Sequence, residues 1–190
     1  MSTLITNGIA LINDPKLISP KLCNELVDFI EGSELLLDNQ NVQGHYVLPK
    51  HTDKIHSKIY KVFKKLQDRI RADLNVDVIA DSGFQLRKIH GTTRLHHDGV
   101  YDKLLIRSLS CIIALNGDFG GGEIQFPRQD FKYQMNKGDV ILFPPYWTHP
   151  HQVFPPHAGT FRYTINSWFY DIESRKLNTT PNDEYINFYD

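Results

Sequence analysis

Apolar residues over the first 75 positions recur at helical spacing, and from residue 76 they switch to strand-like runs. Leu22, Leu26, Phe29 and Ile30 mark one helical face behind Ser19-Pro20. Serine is a good N-cap and proline suits the first helical position; Gly32 closes the segment. Residues 33–50 hold Gly44, Pro49 and many polar side chains, and read as a long loop. A second helix is predicted from about Thr52 to Leu74, on a stripe of Ile55, Ile59, Val62, Phe63, Leu66, Ile70 and Leu74. Strands are predicted at residues 76–80, 84–89, 108–115, 122–126, 139–143, 151–154 and 160–170. Short strands punctuated by Gly and Pro predict a sandwich or barrel. Five of the ten prolines fall between residues 144 and 156, where they stiffen a connection between two strands.

Composition narrows the function classes. The 190 residues are 41% hydrophobic, which suits one domain with a sizeable core. Lys plus Arg is 21 and Asp plus Glu is 22, so nothing draws the chain as a whole to nucleic acid or an anionic membrane. The second helix and its approach carry Lys50, Lys54, Lys58, Lys61, Lys64, Lys65, Arg69 and Arg71. A solvated face opposite the apolar stripe accounts for them, and no nucleic-acid partner is expected. Cys23 and Cys111 make no disulfide framework, which points to a reducing compartment; Cys111 sits in an apolar strand and reads as core. No apolar run approaches the roughly 20 residues of a membrane span, and no basic-then-apolar leader opens the chain. The expectation is one cytoplasmic domain over 1–190. Its helical part is about 1–75, its strand core about 76–170, and 171–190 form an extension.

Five of the nine histidines lie between residues 96 and 157. In His96-His97-Asp98-Gly99, strand alternation would turn His96 and Asp98 to one face and His97 away. An imidazole and a carboxylate on a shared face can chelate a divalent metal. Thr148-His149-Pro150-His151 offers a third ligand from either histidine. Two histidines and a carboxylate on one face of a metal, with open positions left over, make the facial triad of non-haem Fe(II) oxygenases. Arg162 lies in Thr160-Phe161-Arg162-Tyr163-Thr164-Ile165-Asn166-Ser167-Trp168, where alternation puts Arg162, Thr164, Asn166 and Trp168 on one face. An arginine inside an apolar sheet needs an anionic partner, either an internal Asp or Glu or a bound dicarboxylate.

These pieces together resemble the Fe(II)/2-oxoglutarate-dependent dioxygenases, in their prolyl 4-hydroxylase-like branch. His96-x-Asp98 is followed by His151 55 positions after His96, and by Arg162 eleven positions later. Ile113-Ala114-Leu115-Asn116 with Gly121-Gly122-Glu123-Ile124-Gln125-Phe126-Pro127 is similar to the strand–turn–strand of that branch. Lys137-Gly138-Asp139-Val140-Ile141-Leu142-Phe143-Pro144 is similar to the strand before its distal histidine. Pro150-His151-Gln152-Val153 resembles the corresponding run of hypoxia-sensing prolyl hydroxylases, which favours His151 over His149. The resemblance covers about residues 84–170. Trp168 stands where the nucleic-acid demethylase branch carries a second arginine, which argues against that branch.

The resemblance implies an α+β fold with a double-stranded β-helix (jelly-roll) core and N-terminal helices packed on one sheet. It implies Fe(II) held by His96, Asp98 and His151, with 2-oxoglutarate and O2 as co-substrates and ascorbate as an optional reductant. Arg162, with Thr164, would hold the far carboxylate of 2-oxoglutarate. The reaction would hydroxylate a prolyl residue or another amino-acid-like substrate, small molecule or peptide, and release succinate and CO2. Two departures stand out. Ala114 and Leu86 occupy positions where the branch carries tyrosines, leaving Thr164, Asn166 or Ser110 as candidate substitutes. Tyr101, Lys103, Tyr46 and Trp168 are the candidate substrate residues, with residues 38–50 and the loop after Asp98 as the entrance. The competing readings are a cupin-like metal protein using His96, His149 and His151 without 2-oxoglutarate, and a non-catalytic jelly-roll binding domain.

Overall fold

Helix α1 (Pro20–Glu31) starts where the side chain of Ser19 accepts a hydrogen bond from the Leu22 amide at 3.2 Å, with Pro20 at the first helical position. Cys23, Leu26 and Ile30 are its buried face. Helix α2 (Lys54–Leu74) buries Ile55, Ile59, Val62, Phe63, Leu66 and Ile70 along one stripe, and ends at Asn75 in the left-handed region. The computed structural model describes residues 3–37, 42–99 and 107–171, so Tyr101 and Lys103 lie outside the described residues.

Twelve strands make up the rest: β1 (Leu4–Thr6), β2 (Ile9–Asn13), β3 (Leu36–Leu37), β4 (Val42–Val47), β5 (Val78–Asp81), β6 (Gln85–His96), β7 (Arg107–Ala114), β8 (Ile124–Phe126), β9 (Phe131–Tyr133), β10 (Asp139–Phe143), β11 (His151–Val153) and β12 (Arg162–Asp171). Their pairing is antiparallel, in the order β1-β2-β10-β7-β12-β6-β11-β8-β9. β5 lies on β12, while β4 pairs β6 and β3 pairs β4. β6 is the corner of the structure. Its first half pairs β12 from Gln85 to Ile89, and its last residues pair β11 at Thr93 and His96. One long strand thus serves both sheets of a double-stranded β-helix.

The period of two along β7 and β10 builds two cores. Leu109, Cys111 and Ile113 of β7, with Val140 and Leu142 of β10, face the helices and pack against α1 and α2. Ile112 and Ala114, with Ile141 and Phe143, face the opposite way and join Ile9, Ile124, Phe126 and Val153 between the sheets. Cys111 is buried in the first core, and burial pushes its thiol pKa up, as suits a packing residue.

Five strands depart from the sequence reading. Residues 33–50 are not a plain loop: β3 and β4 lie there, and β4 runs along β6 from Val42 to Val47. Gly44 permits this, because a Cβ there would come 2.7 Å from the Lys88 carbonyl oxygen. β1 and β2 form a hairpin on Asn7 and Gly8, at φ 48° and 80°. An Asn-Gly pair between apolar runs was the signal for that turn. β9 was also unexpected; it pairs β8 through a tight turn that includes Asp130 at φ 47°.

Candidate active site

Three strands deliver the chemistry to one cavity of about 490 Å³. β6 brings His96 at its last residue, β11 brings His151 at its first, and β12 brings Arg162 at its first. His96 and His151 are register partners across β6 and β11, with a bulge between that pair and Thr93–Val153. The bulge re-aims His96 into the cavity, a common use of such irregularities beside active sites. The strand ends at His96, so Asp98 reaches the shared face through the turn that follows and not through strand alternation. For the same reason His97 does not point away from the site, as expected, but lines the cavity.

His96 Nε2 lies 3.2 Å from Asp98 Oδ1, and His151 Nε2 lies 3.8 Å from the same oxygen. One ligand atom from each of the three residues falls within 4.8 Å of the others, a grouping that can hold a metal ion. The other ring nitrogens are occupied. His96 Nδ1 is 2.7 Å from the Arg94 carbonyl and His151 Nδ1 is 3.3 Å from the His149 carbonyl. Each Nδ1–H donates to a backbone oxygen, which leaves Nε2 as the coordinating atom. Ser110 donates to Asp98 Oδ2 at 2.7 Å, so its hydroxyl is engaged there and not at the far end of the cavity.

Asp98 and His151 are held in the forms that ligate a metal. Burial alone would raise the Asp98 pKa, but the hydrogen bond from His96, the charge of His151 and the bond from Ser110 hold it well below the usual carboxylate range. Burial pulls His151 down to about 4 against the pull of Asp98, so it is a neutral imidazole at pH 7. Burial also opposes the charged form of His96, but its hydrogen bond and proximity to Asp98 outweigh that and raise its pKa.

Arg162 is 3% exposed, and its Nε and Nη1 have no hydrogen-bond partner. Burial, with the nearby charge of Arg87, lowers its pKa to about 10, so it stays cationic at pH 7. No internal carboxylate pairs with it among the described residues. A buried, unpaired guanidinium costs several kcal/mol, and an anion entering the cavity would offset that. Gly122, at φ 72°, fits against it: a Cβ there would stand 3.7 Å from Arg162 Cδ and 2.6 Å from the Phe119 ring.

Of the candidate substitutes for the missing tyrosines on β12, Asn166 lines the cavity and Thr164 does not. Thr164 is fully buried and donates to Asn166 Oδ1 at 2.7 Å, while Asn166 lines the cavity. Ala114 is the register partner of Thr164 and packs into the inter-sheet core. Leu86 turns toward the helices, and its neighbours Gln85 and Arg87 turn into the cavity. Sequence reasoning missed both; their alternation with Leu86 was the available signal. Tyr46 of β4 and Trp168 of β12 also line the cavity. His149 does not. Its Nε2 is 3.0 Å from the Asn7 carbonyl and its Nδ1 is 3.0 Å from the Thr148 hydroxyl, so it fastens the N-terminal hairpin.

The model of the 2OG-Fe(II) oxygenase superfamily matches residues 84–170, the stretch that holds all three triad residues and Arg162. Sequence similarity extends to a protein of Acanthamoeba polyphaga mimivirus named "Putative prolyl 4-hydroxylase", 25% identical over 175 residues, covering 80% of this chain and 71% of that protein. Among solved structures, a Trichoplax adhaerens prolyl hydroxylase bound to a peptide of hypoxia inducible factor matches with a TM-score of 0.71 at 17% identity, over 92% of this chain and 89% of the other. A viral collagen prolyl hydroxylase from Paramecium Bursaria Chlorella virus-1, bound to 2OG, matches with a TM-score of 0.69 at 20% identity, over 87% and 97%. The matched family implies Fe(II), 2-oxoglutarate and O2. The residues fit those groups: a neutral imidazole and a carboxylate converge with His96, and an unpartnered guanidinium shares their cavity. Among the described residues, no helix is long and apolar enough to cross a membrane.

Proposed function

We propose that this chain is a 2-oxoglutarate-dependent hydroxylase in which His96, Asp98 and His151 hold Fe(II) and Arg162 holds the far carboxylate of 2-oxoglutarate. Bound there, iron and 2-oxoglutarate supply the oxidising chemistry: O2 is consumed, the 2-oxo acid becomes succinate and CO2, and a substrate C–H bond becomes C–OH. The single observation that carries the reading is the unpartnered Arg162 guanidinium in the same cavity as the triad.

The chain's own residues do the positioning. Backbone carbonyls of Arg94 and His149 fix the two imidazoles, and Ser110 fixes the carboxylate. Asn166, which lines the cavity and is held by a hydrogen bond from Thr164, takes the polar role of the absent tyrosines. Tyr46 and Trp168 line the substrate side, and Tyr101 and Lys103, which follow Asp98 in the sequence, are proposed substrate residues on that ground alone. The substrate is a prolyl residue or another amino-acid-like molecule. The names of the similar proteins support this class, and the cavity's size suits a compact ligand.

The test is succinate formation by the full chain with Fe(II), 2-oxoglutarate and O2, alongside metal affinity. His96→Ala, Asp98→Ala and His151→Ala each lose metal and turnover, whereas His97→Ala and His149→Ala keep the metal. Metal loss in His149→Ala with retention in His151→Ala would favour the cupin-like arrangement. Iron binding without any 2-oxoglutarate response would favour a binding domain.

A further inference from the structure

Arg162 shares its cavity with a neighbouring guanidinium, that of Arg87 on β6. β6 and β12 pair there in register: Gln85 lies beside Asn166, Arg87 beside Thr164, and Ile89 beside Arg162. Arg87 is therefore the diagonal neighbour of Arg162, a separation that two long side chains span. Gln85 Oε1 accepts from Arg87 Nε at 3.1 Å and from Arg87 Nη2 at 2.6 Å, which fixes the plane of the guanidinium. A neutral amide orients that cation without cancelling its charge. Arg107, the third arginine lining the cavity, belongs to the metal end, where it donates to the Asp98 backbone carbonyl at 2.8 Å.

Two cations that face one buried space repel each other. The charge of Arg87 disfavours the cation at Arg162, and it works against the protonated form of His96 as well. Arg87 is thus within electrostatic reach of both the triad and Arg162. Arg162 Nε and Nη1 are buried without a partner, and the anion that satisfies them enters through this cavity. Such an anion sits in the field of Arg87 too, and turns one repulsion into two attractions. Leu86, where the resembling branch carries a tyrosine, turns toward the helices. What β6 offers the cavity at this point is therefore a guanidinium in place of a phenol hydroxyl.

On the reading that 2-oxoglutarate binds here, we propose that Arg87 is a second arginine for its far carboxylate, gripped between Arg87 and Arg162, and that Gln85 is the positioning residue that aims Arg87. The consequence is selectivity among 2-oxo acids. A phenol hydroxyl would add one neutral hydrogen bond, whereas a second guanidinium adds a charge-assisted one. The preference for a 2-oxo diacid over a monoacid of the same length is then larger than Arg162 alone supplies.

The full chain is loaded with Zn(II) as an unreactive stand-in and titrated calorimetrically with two acids. One is 2-oxoglutarate; the other is 2-oxopentanoate, which has the same metal-binding end and a methyl group in place of the far carboxylate. Absence of 2-oxoglutarate binding by the parent, with metal bound, counts against the oxygenase reading and takes this proposal with it. The expected result for Arg87→Gln is 2-oxoglutarate weakened about ten- to a hundredfold, with Zn(II) and 2-oxopentanoate affinities within about twofold of the parent. Those two retained affinities also show the variant to be folded. Gln85→Glu, which gives Arg87 a fixed carboxylate at the same position, weakens 2-oxoglutarate in the same selective way. The ratio of diacid to monoacid affinity is the readout that a merely structural role would leave unchanged. If Arg87→Gln binds 2-oxoglutarate as tightly as the parent while Arg162→Leu does not, Arg162 acts alone, and the proposal is overturned with the oxygenase reading intact. It is equally overturned if Arg87→Gln loses both acids in proportion, because Arg87 then acts through the metal or the fold. Parental 2-oxoglutarate affinity in Gln85→Glu overturns the role given to Gln85.

Discussion

Arg162 shows at the scale of one residue how function and stability oppose each other. Its guanidinium is buried with two nitrogens unpaired, so the ligand-free fold carries its desolvation cost. Arg162→Leu should therefore raise the melting temperature of the ligand-free protein, by an amount corresponding to about 1–3 kcal/mol, while 2-oxoglutarate no longer protects it against unfolding. Thermal scans with and without 2-oxoglutarate check both halves, and a lower melting temperature in the ligand-free variant contradicts the first. The residue types of this site were legible in the sequence: His96, Asp98, His151 and Arg162 stood out by spacing, and they share one cavity. Their geometry was not. Strand alternation was invoked for His96 and Asp98, but the strand ends at His96 and a bulge aims it. A bulge depends on the pairing partner, here β11, about 55 residues away in sequence, and leaves little local trace. Arg107, Gln85 and Arg87 escaped notice for a similar reason: which face a strand turns to the cavity depends on its neighbours.

Read from its own residues, the stretch 33–50 is a polar connector; in the fold, β4 borrows its order from β6. Replacing 41–47 by a Gly/Ser linker, harmless in a connector, would here remove a strand of the sheet. A point change separates lining from folding. Tyr46→Ala should raise the KM for substrate severalfold, with Fe(II) and 2-oxoglutarate affinity unchanged, as steady-state kinetics and titration would show; an unchanged KM would remove Tyr46 from the substrate side. The Asn7-Gly8 hairpin has its own anchor in His149, whose Nε2 lies 2.9 Å from where a Gly8 Cβ would stand. His149→Ala leaves the Asn7 carbonyl without its donor. Denaturant unfolding should show a loss of about 1–3 kcal/mol, with metal affinity kept. Helices α1 and α2, by contrast, were legible almost to their caps, because a helix stripe and an N-cap are local signals.

Across the whole molecule, the helical layer is joined to the sheet by packing and by polar contacts, among them a clamp at Glu31. Glu31, at the end of α1, accepts from Lys88 of β6 at 2.8 Å and from the Tyr163 hydroxyl of β12. The bond from Lys88, then that from Tyr163, lowers the Glu31 pKa below its ordinary 4.5. A carboxyl depressed on folding stabilises above its unfolded pKa and loses that contribution as pH falls through the folded one. The melting-temperature gap between the parent and Glu31→Gln should thus be widest near pH 7 and close as pH drops below about 4.5. The clamp is half-exposed, so the gap corresponds to about 1 kcal/mol or less, roughly 2–4 °C for a chain of this size. A gap that widens toward acid would contradict the clamp. Strand punctuation pointed to a sandwich or barrel and the family resemblance to a jelly-roll, but the path of β6 across both sheets was not legible, and that path is what brings the triad and Arg162 together. The central claim, that these residues form one site for iron and a 2-oxo diacid, is tested most directly by calorimetric titration of 2-oxoglutarate, without oxygen, into Fe(II)-treated parent, Asp98→Ala and Arg162→Leu. The account predicts binding to the parent, loss of iron and hence of binding in Asp98→Ala, and retained iron with about ten- to a hundredfold weaker 2-oxoglutarate in Arg162→Leu. Undiminished 2-oxoglutarate affinity in Arg162→Leu, or iron held as tightly by Asp98→Ala as by the parent, would contradict it.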